Sequence, residues 1–114
     1  MSKKLPWVYQ RCEVIRVKDG DTFEVRLDVG FGLSMKTVVR IRNINCEELN
    51  GSKAEIAEKA KQFTEQILAN ASPCTILSYG WDKYGGRINA DVILSDGQDL
   101  GKLLITKGLA REMK

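Results

Sequence analysis

The chain has 114 residues and a formal net charge of +3; 43% of its residues are hydrophobic and 29% are charged. This composition is typical of one compact globular domain and argues against two domains or a disordered chain. The mild positive charge is compatible with a polyanionic partner but does not require one. No histidine is present, which excludes histidine-ligated zinc sites and Ser-His-Asp triads. Any catalysis must therefore use carboxylates, Arg, Lys, Tyr, Cys or a metal held by oxygen.

The three cysteines, Cys12, Cys46 and Cys74, are far apart in the sequence and odd in number. No Cys-x-x-Cys pair occurs, so neither a zinc site nor a disulfide framework is indicated. Free thiols suit a reducing compartment. The N-terminal sequence lacks the apolar segment of a signal peptide, and no run reaches membrane-spanning length. We therefore expect a cytoplasmic protein with no membrane contact.

Alternating apolar and polar residues predict most of the chain organisation. We expect residues 1–10 to form an N-terminal tail that Trp7 and its neighbours pin to the body, and residues 11–114 to form one domain. The third predicted strand carries Arg40 and closes at Ile44. Four further strands are predicted at residues 11–18, 22–29, 74–79 and 87–94.

Local signals predict the turns and the long helix. The Asp-Gly pair at Gly20 predicts a hairpin, with this glycine supplying the positive φ of a tight turn. Ser52 and Glu55 form a capping-box pattern, which predicts a helix over about residues 53–69. Its core-facing stripe is predicted from residues spaced by four, three and four positions. These residues are Ile56, Ala60, Phe63 and Ile67.

The order of the elements predicts the fold class. Three antiparallel strands, a long helix, two strands and a short helix follow one another, with the short helix capped by Asp99 and ended by Gly108. This order suggests a mainly β fold with helices (α+β). Its architecture would be an OB-type, five-stranded Greek-key barrel, partly open. Such barrels bind oligonucleotides, which is an analogy at the level of the fold.

The segment 38–48 carries the most informative chemistry. Its strand places Arg40 and Arg42 on one face, and Asn45, the Cys46 carbonyl and Glu48 follow within a few residues. A cation beside hard oxygen ligands suits a phosphate together with a divalent metal. The alternative interpretation is a solvated edge strand with a charged exit loop. Residues 81–87 form a second candidate, a glycine turn rich in aromatic and basic groups.

Four motifs together resemble the staphylococcal-nuclease-like (thermonuclease) family. They are VKDGDTFEV, VVRIRNI followed by Glu48, DKYGGR, and DGQDLGKLLITKGLA, and the AKQFTEQIL helix accompanies them. The resemblance covers residues 11 to 112. It implies an OB barrel with helices and a calcium-dependent phosphodiesterase acting on single-stranded or frayed DNA and on RNA. Such an enzyme breaks the P–O5′ bond and leaves 3′-phosphates.

The resemblance also implies a role for each matching residue. Asp21 would supply a carboxylate to Ca²⁺, with Asn45 and the Cys46 carbonyl completing the metal ligands. Glu48 would orient or deprotonate the attacking water. Arg40 and Arg87 would grip the phosphate, whose geometry suits guanidinium donors. The nucleotide would be contacted by charge and by stacking through Lys83 and Tyr84.

Three features depart from the family pattern. Asn45 is neutral where the family usually has an acidic ligand, and we expect this to weaken Ca²⁺ binding on the order of tenfold or more. Glu47 replaces a proline that would stiffen the loop, and its carboxylate either restores the missing charge or faces solvent. The turn at Gly86 carries one more glycine than the commoner DKYGR.

Three functions are compatible with these residues. The first is an active metal-dependent nuclease, which the retention of Asp21, Arg40, Glu48 and Arg87 favours. The second is a nucleic-acid-binding module of the same fold that has lost catalysis, which Asn45 favours. The third is a structural or interaction domain that retains only the barrel. We expect a monomer with no obligate protein partner and with single-stranded DNA or RNA as its ligand.

Overall fold

A computed structural model describes residues 5–46, 54–70, 74–83 and 85–113. In these residues the chain forms an α+β fold with two helices, which confirms the predicted class. The elements are β1 Trp7–Tyr9, β2 Cys12–Asp19, β3 Thr22–Gly30, β4 Leu33–Ile41, β5 Ile44–Cys46, α1 Ala54–Asn70, β6 Thr75–Trp81, β7 Arg87–Ile93, α2 Leu100–Thr106 and β8 Ala110–Glu112. Neither helix in this part of the chain has the length and apolar character needed to cross a membrane.

The strands form one large sheet and one small one. The large sheet has six strands in the order β1-β6-β7-β4-β3-β2, and β5 pairs with β8 separately. Strands β2, β3 and β4 are joined as antiparallel hairpins, and β6 is antiparallel to β1 and β7. Parallel pairing of β4 with β7 joins the two halves. The sheet is open over the described residues, so the predicted closure into a five-stranded barrel is not confirmed.

The predicted strands are present, but three short ones were missed. Trp7–Tyr9 pairs with β6 along Ser78, Leu77 and Ile76, so the segment expected to pin the tail is itself a strand. The strand predicted to close at Ile44 ends at Ile41 instead. Asn43 has a φ of 66°, a left-handed conformation that interrupts an extended chain. The chain then resumes as β5, which pairs with β8.

The helix α1 packs through a different face from the one predicted. Its buried residues are Ala57, Ala60, Thr64 and Leu68, whereas Ile56 is 39% exposed. Phe63 and Ile67 only flank the core. The buried face is therefore rotated by about one residue from the predicted stripe. The reason is that the helix lies too close to the β2–β3 turn for large side chains to fit between them. The Thr64 hydroxyl donates a 2.7 Å hydrogen bond to the Gly20 carbonyl at this contact.

The β2–β3 hairpin is present, but Gly20 is needed there for a different reason from the one predicted. Asp19 pairs with Thr22, so the turn is tight. Gly20 is not among the residues with positive φ. A Cβ atom at this position would lie 2.7 Å from the Cβ of Ala60 and 3.1 Å from its backbone carbon. The glycine therefore permits contact with α1 rather than a left-handed turn.

The helix α2 begins and ends as predicted. The Asp99 side chain accepts a 3.2 Å hydrogen bond from the backbone N–H of Lys102. At the other end, Gly108 has a φ of 73° and donates to the Ile105 carbonyl, while Leu109 donates to the Leu104 carbonyl. This pair of bonds is a Schellman motif, which requires a residue that tolerates positive φ.

Candidate active site

One open pocket lies where the β2–β3 turn, the end of β4, strand β5 and the β6–β7 turn come together. Its volume is about 630 Å³. Strand pairing explains the convergence, because Thr22 of β3 faces Arg40 of β4 and Arg40 faces Asn89 of β7. The residues lining it are Asp19, Asp21, Thr22, Arg40, Ile41, Arg42, Asn43, Asn45, Cys46, Asp82, Lys83, Arg87, Asn89 and Met113.

Asp21 is held rigidly at the base of this pocket. The residue is only 6% exposed, and the Thr22 hydroxyl donates to its Oδ1 at 3.0 Å. Its Oδ2 accepts the backbone N–H of Cys46 at 2.9 Å and lies 3.3 Å from Arg40 Nη1. These donors compensate the cost of burying a carboxylate. The carboxylate is therefore fixed in position, and its two oxygens retain some capacity for further ligands.

Arg40 connects the carboxylate to the β5 segment. Its Nη1 donates to the Ile41 carbonyl at 2.8 Å, and its Nη2 donates to the Asn45 Oδ1 at 3.2 Å. Because its side chain is only 15% exposed, the guanidinium is partly desolvated as well as positioned. One cation therefore draws the carboxylate of Asp21 and the amide oxygen of Asn45 toward the same point.

Arg87 is held by a carboxylate from the turn that precedes its strand. Its Nε donates to Asp82 Oδ2 at 2.7 Å, and the Asp82 side chain is only 7% exposed. The Asp82 backbone N–H also bonds to the Arg87 carbonyl at 2.8 Å, which closes the turn. The Arg87 side chain is 36% exposed, so its outer end is accessible from the pocket. The additional glycine in this turn therefore does not remove Arg87 from the pocket.

Six of the eight predicted site residues line this one pocket. They are Asp21, Arg40, Asn45, Cys46, Lys83 and Arg87. The other two, Glu48 and Tyr84, lie outside the described residues. The proximity of the six is an observation, whereas the catalytic and metal-binding roles assigned to them stay predictions.

The described residues satisfy the requirements of a calcium site only in part. Asp21 and Asn45 offer one carboxylate and one amide oxygen, both beside Arg40. Among the described residues, no group of three or more His, Cys, Asp or Glu side chains could hold a metal. Calcium takes six to eight oxygen ligands, so most would have to come from water, substrate or other residues. The backbone N–H of Cys46 donates to the Asp21 carboxylate. The role of the Cys46 carbonyl as a calcium ligand stays a prediction.

Sequence reasoning missed several residues of the pocket. Asp82 lies within the DKYGGR motif, but its partnership with Arg87 depends on the shape of the turn. Asp19 was interpreted only as a turn residue, although it lines the pocket. Arg42 was placed on the same face as Arg40 and lines the same pocket, but its 3.1 Å bond to Asp91 on β7 was not predicted. Each of these contacts joins segments whose approach the sequence pattern does not specify.

Comparison with known proteins identifies the family. A search of curated proteins finds no match to this chain. The family model described as staphylococcal nuclease homologue matches residues 38–114. The matched residues include Arg40, Asn45, Asp82 and Arg87, and Asp21 precedes them. Because the match covers more than half of the chain, the protein belongs to the staphylococcal nuclease family.

Proposed function

We propose that this protein is a calcium-dependent phosphodiesterase that hydrolyses single-stranded DNA or RNA. The observation that carries the proposal is the convergence of Arg40 and Arg87 with Asp21 and Asn45 in one open pocket. Family membership supports a nuclease-like activity and a nucleic-acid substrate. The metal and the individual catalytic roles belong to the proposal.

The two guanidiniums would bind and stabilise the phosphate. Hydrolysis of a phosphodiester concentrates negative charge on the phosphorus oxygens, which planar N–H donors match well. Arg40 is positioned by three acceptors and Arg87 by Asp82, so neither needs to be ordered when substrate arrives. Such preorganisation lowers the cost of reaching the transition state.

The remaining roles follow the family resemblance. Asp21, Asn45 and the carbonyl of Cys46 would hold the calcium ion, which when bound polarises the phosphate and water. Glu48 would act as the general base toward the attacking water. A carboxylate is a weak base toward water, so we expect faster cleavage in alkaline buffer. Lys83 and Tyr84 would contact the nucleotide.

The test is cleavage of a labelled single-stranded oligonucleotide in alkaline buffer, with calcium and with chelator. The parent protein should cut only with calcium, and Glu48→Gln and Arg87→Lys should each lower kcat by at least about tenfold. Arg26→Lys is a matched control, because Arg26 pairs with Glu13 at 2.7 Å outside this pocket. Cleavage that is insensitive to chelator, or unaffected by Glu48→Gln, would contradict the proposed roles.

A nucleic-acid-binding module without catalysis is the second candidate. Asn45 favours it, because a neutral amide stands where the family usually has an acidic ligand, and its oxygen already accepts a hydrogen bond from Arg40. Salt-sensitive binding of the same oligonucleotide without cleavage would support this function. If Asn45→Asp then restored calcium-dependent cleavage, the loss would be traced to this residue.

A further inference from the structure

A second groove adjoins the candidate active site. It has a volume of about 630 Å³, and we call it the Trp81 groove. It shares Arg42, Asn43 and Asn89 with the first pocket, so the two cavities meet at these residues. The residues that line the Trp81 groove are Leu5, Pro6, Arg42, Asn43, Tyr79, Trp81 and Asn89.

Arg42 is held in place at the junction of the two cavities. Its guanidinium carbon lies 3.7 Å from the centre of the Tyr79 ring, and its Nε donates to Asp91 Oδ1 at 3.1 Å. Its backbone N–H donates to the Ala90 carbonyl at 2.9 Å. The side chain remains 33% exposed. A fixed, accessible cation between two cavities is suited to a phosphate that passes from one to the other.

Trp81 supplies an exposed aromatic surface to this groove. It ends strand β6 and is 56% exposed, whereas the Tyr79 ring is already covered by Arg42. Every nucleobase has a π-face that stacks on an exposed indole, provided that the base is unpaired. The amides of Asn43 and Asn89 at the junction offer both donors and acceptors to a base edge.

We propose that the Trp81 groove binds the nucleotide adjacent to the one in the active site, with its base stacked on Trp81 and its phosphate at Arg42. This subsite rests on the proposed function, because it presumes a single-stranded nucleic acid in the neighbouring pocket. It predicts that affinity rises with chain length beyond one nucleotide. It also predicts a preference for unpaired strands, since a base-paired nucleotide cannot offer its face to the indole.

Fluorescence can test this subsite directly, because the chain contains only two tryptophans. In the Trp7→Phe variant the emission comes from Trp81, and in the Trp81→Phe variant it comes from Trp7. Each variant is titrated with single-stranded oligothymidylate and with thymidine monophosphate in chelator, while fluorescence anisotropy of a labelled oligonucleotide measures total binding. The oligonucleotide should quench Trp81 emission saturably and leave Trp7 emission unchanged.

Substitution provides the second readout. Trp81→Ala should weaken oligonucleotide binding by about 5- to 150-fold, the loss expected for one stacked base, and should weaken monophosphate binding much less. Trp7→Ala is the matched control, because Trp7 is 58% exposed but lies outside the groove. If the oligonucleotide binds but neither quenches Trp81 emission nor loses affinity in Trp81→Ala, the subsite is wrong, while calcium-dependent cleavage by the parent protein would still uphold the proposed function. If the oligonucleotide neither binds in chelator nor is cleaved with calcium, both are wrong.

A second inference rests on an independent observation, the contact between two cysteines. Cys12 begins β2 and Cys74 precedes β6, and their Sγ atoms lie 3.2 Å apart although the residues are separated by 62 positions. The Cys12 thiol also donates to the Cys74 carbonyl at 2.9 Å. Both cysteines are free thiols, and they are 9% and 2% exposed, respectively.

The two thiols differ in reactivity and in access. The hydrogen bond from Cys74 lowers the pKa of Cys12, while the same bond together with burial raises the pKa of Cys74. Because the thiolate is the nucleophile, Cys12 is the residue that attacks first. Cys12 also lines an open groove of about 740 Å³ together with Arg11 and Arg26, and this groove is the side from which a small reagent would approach the residue.

We infer that Cys12 and Cys74 form an oxidative modification site that closes to a disulfide with a low-molecular-weight disulfide as oxidant. The Cys12 thiolate attacks one sulfur of the reagent, forms a mixed disulfide and releases the first reagent thiol. Cys74 then loses its proton and attacks the Cys12 sulfur, which releases the second thiol. Two protein thiols and one reagent disulfide thus become one protein disulfide and two reagent thiols.

The test treats the folded protein with oxidised glutathione, alkylates the remaining thiols and measures the mass. We expect the loss of two hydrogens, one alkylated cysteine at Cys46 and a peptide that joins Cys12 to Cys74. The matched variant Cys46→Ala should form the same link, and Cys12→Ser should form none. The inference is overturned if all three cysteines of the parent protein are still alkylated after treatment with oxidised glutathione, or if the disulfide contains Cys46.

Discussion

The contact between Gly20 and helix α1 makes a quantitative prediction about stability. In Gly20→Ala the new Cβ would lie 2.7 Å from the Ala60 Cβ, 3.0 Å from Cys46 Sγ and 3.1 Å from the Ala60 backbone carbon. Carbon atoms pack favourably at about 3.5–4.0 Å, so α1 has to move away by nearly 1 Å. Neither the Ala60 Cβ nor the helix backbone can rotate out of the way.

The expected magnitude follows from two opposing terms. Overpacking of a well-packed core costs about 1–3 kcal/mol. Because φ at Gly20 is not positive, alanine adopts this backbone conformation without strain. Alanine also lowers the conformational entropy of the unfolded chain, which offsets about 0.4–1 kcal/mol of the lost stability. The two terms leave a net loss of about 0–2.6 kcal/mol, and because the helix backbone cannot yield at this contact we expect Gly20→Ala to lie in the upper part of the range, at about 1–2.6 kcal/mol. Urea denaturation followed by circular dichroism would measure this loss.

A double-mutant cycle with Ala60→Gly isolates the contact. Ala60→Gly alone should cost about 1 kcal/mol, because glycine is unfavourable in a helix interior. In the double variant the β-carbon clash is absent, so its loss should be smaller than the sum of the two single losses by at least about 0.5 kcal/mol. If Gly20→Ala is as stable as the parent, or if the two losses are additive, the close approach does not limit packing.

Three further predictions concern other contacts. Asp82→Asn should lower the free energy of unfolding by about 1 kcal/mol in urea, because it weakens the 2.7 Å charged bond to Arg87; an unchanged midpoint would show that this pair contributes nothing. Thr64→Val should cost about 1–3 kcal/mol in the same assay, since it leaves the Gly20 carbonyl without its buried donor; a neutral result would contradict that account. Asn45→Asp should raise calcium affinity about tenfold in a calorimetric titration, and an unchanged affinity would place the metal elsewhere.

Local features of the fold were predictable from the sequence. The alternation over residues 22–29 predicts one core face for Phe23, Val25, Leu27 and Val29. The first three are buried, whereas Val29 near the end of β3 is 38% exposed. Asp99 and Gly108 marked the ends of α2, because caps depend on residues within one turn. These features need no knowledge of distant parts of the chain.

Features that depend on tertiary contacts were not predictable. The helix α1 buries Thr64 in preference to the larger Ile56, because packing against Gly20 selects small side chains. The contact between Cys12 and Cys74 depends on how β2 lies beside the start of β6. The candidate site shows the same division. Its motifs predicted Arg40 and Arg87 as site residues, whereas the partners that hold these arginines were identified only from the structure.

The parallel pairing of β4 with β7 has a consequence for the order of folding. Asp21 lies in the turn between β2 and β3, and Arg40 lies on β4, which pairs with β3 as a hairpin. Arg87 lies on β7, which follows β4 in the sequence only after β5, α1 and β6 and pairs with β4 in parallel. Closing a long loop carries an entropic cost that neighbouring strands avoid. During refolding, protection of β2–β4 amides from hydrogen exchange should therefore precede the gain of phosphate affinity. A partly folded chain would then hold Arg40 in place without Arg87, so under the proposed function it would not yet cleave nucleic acid.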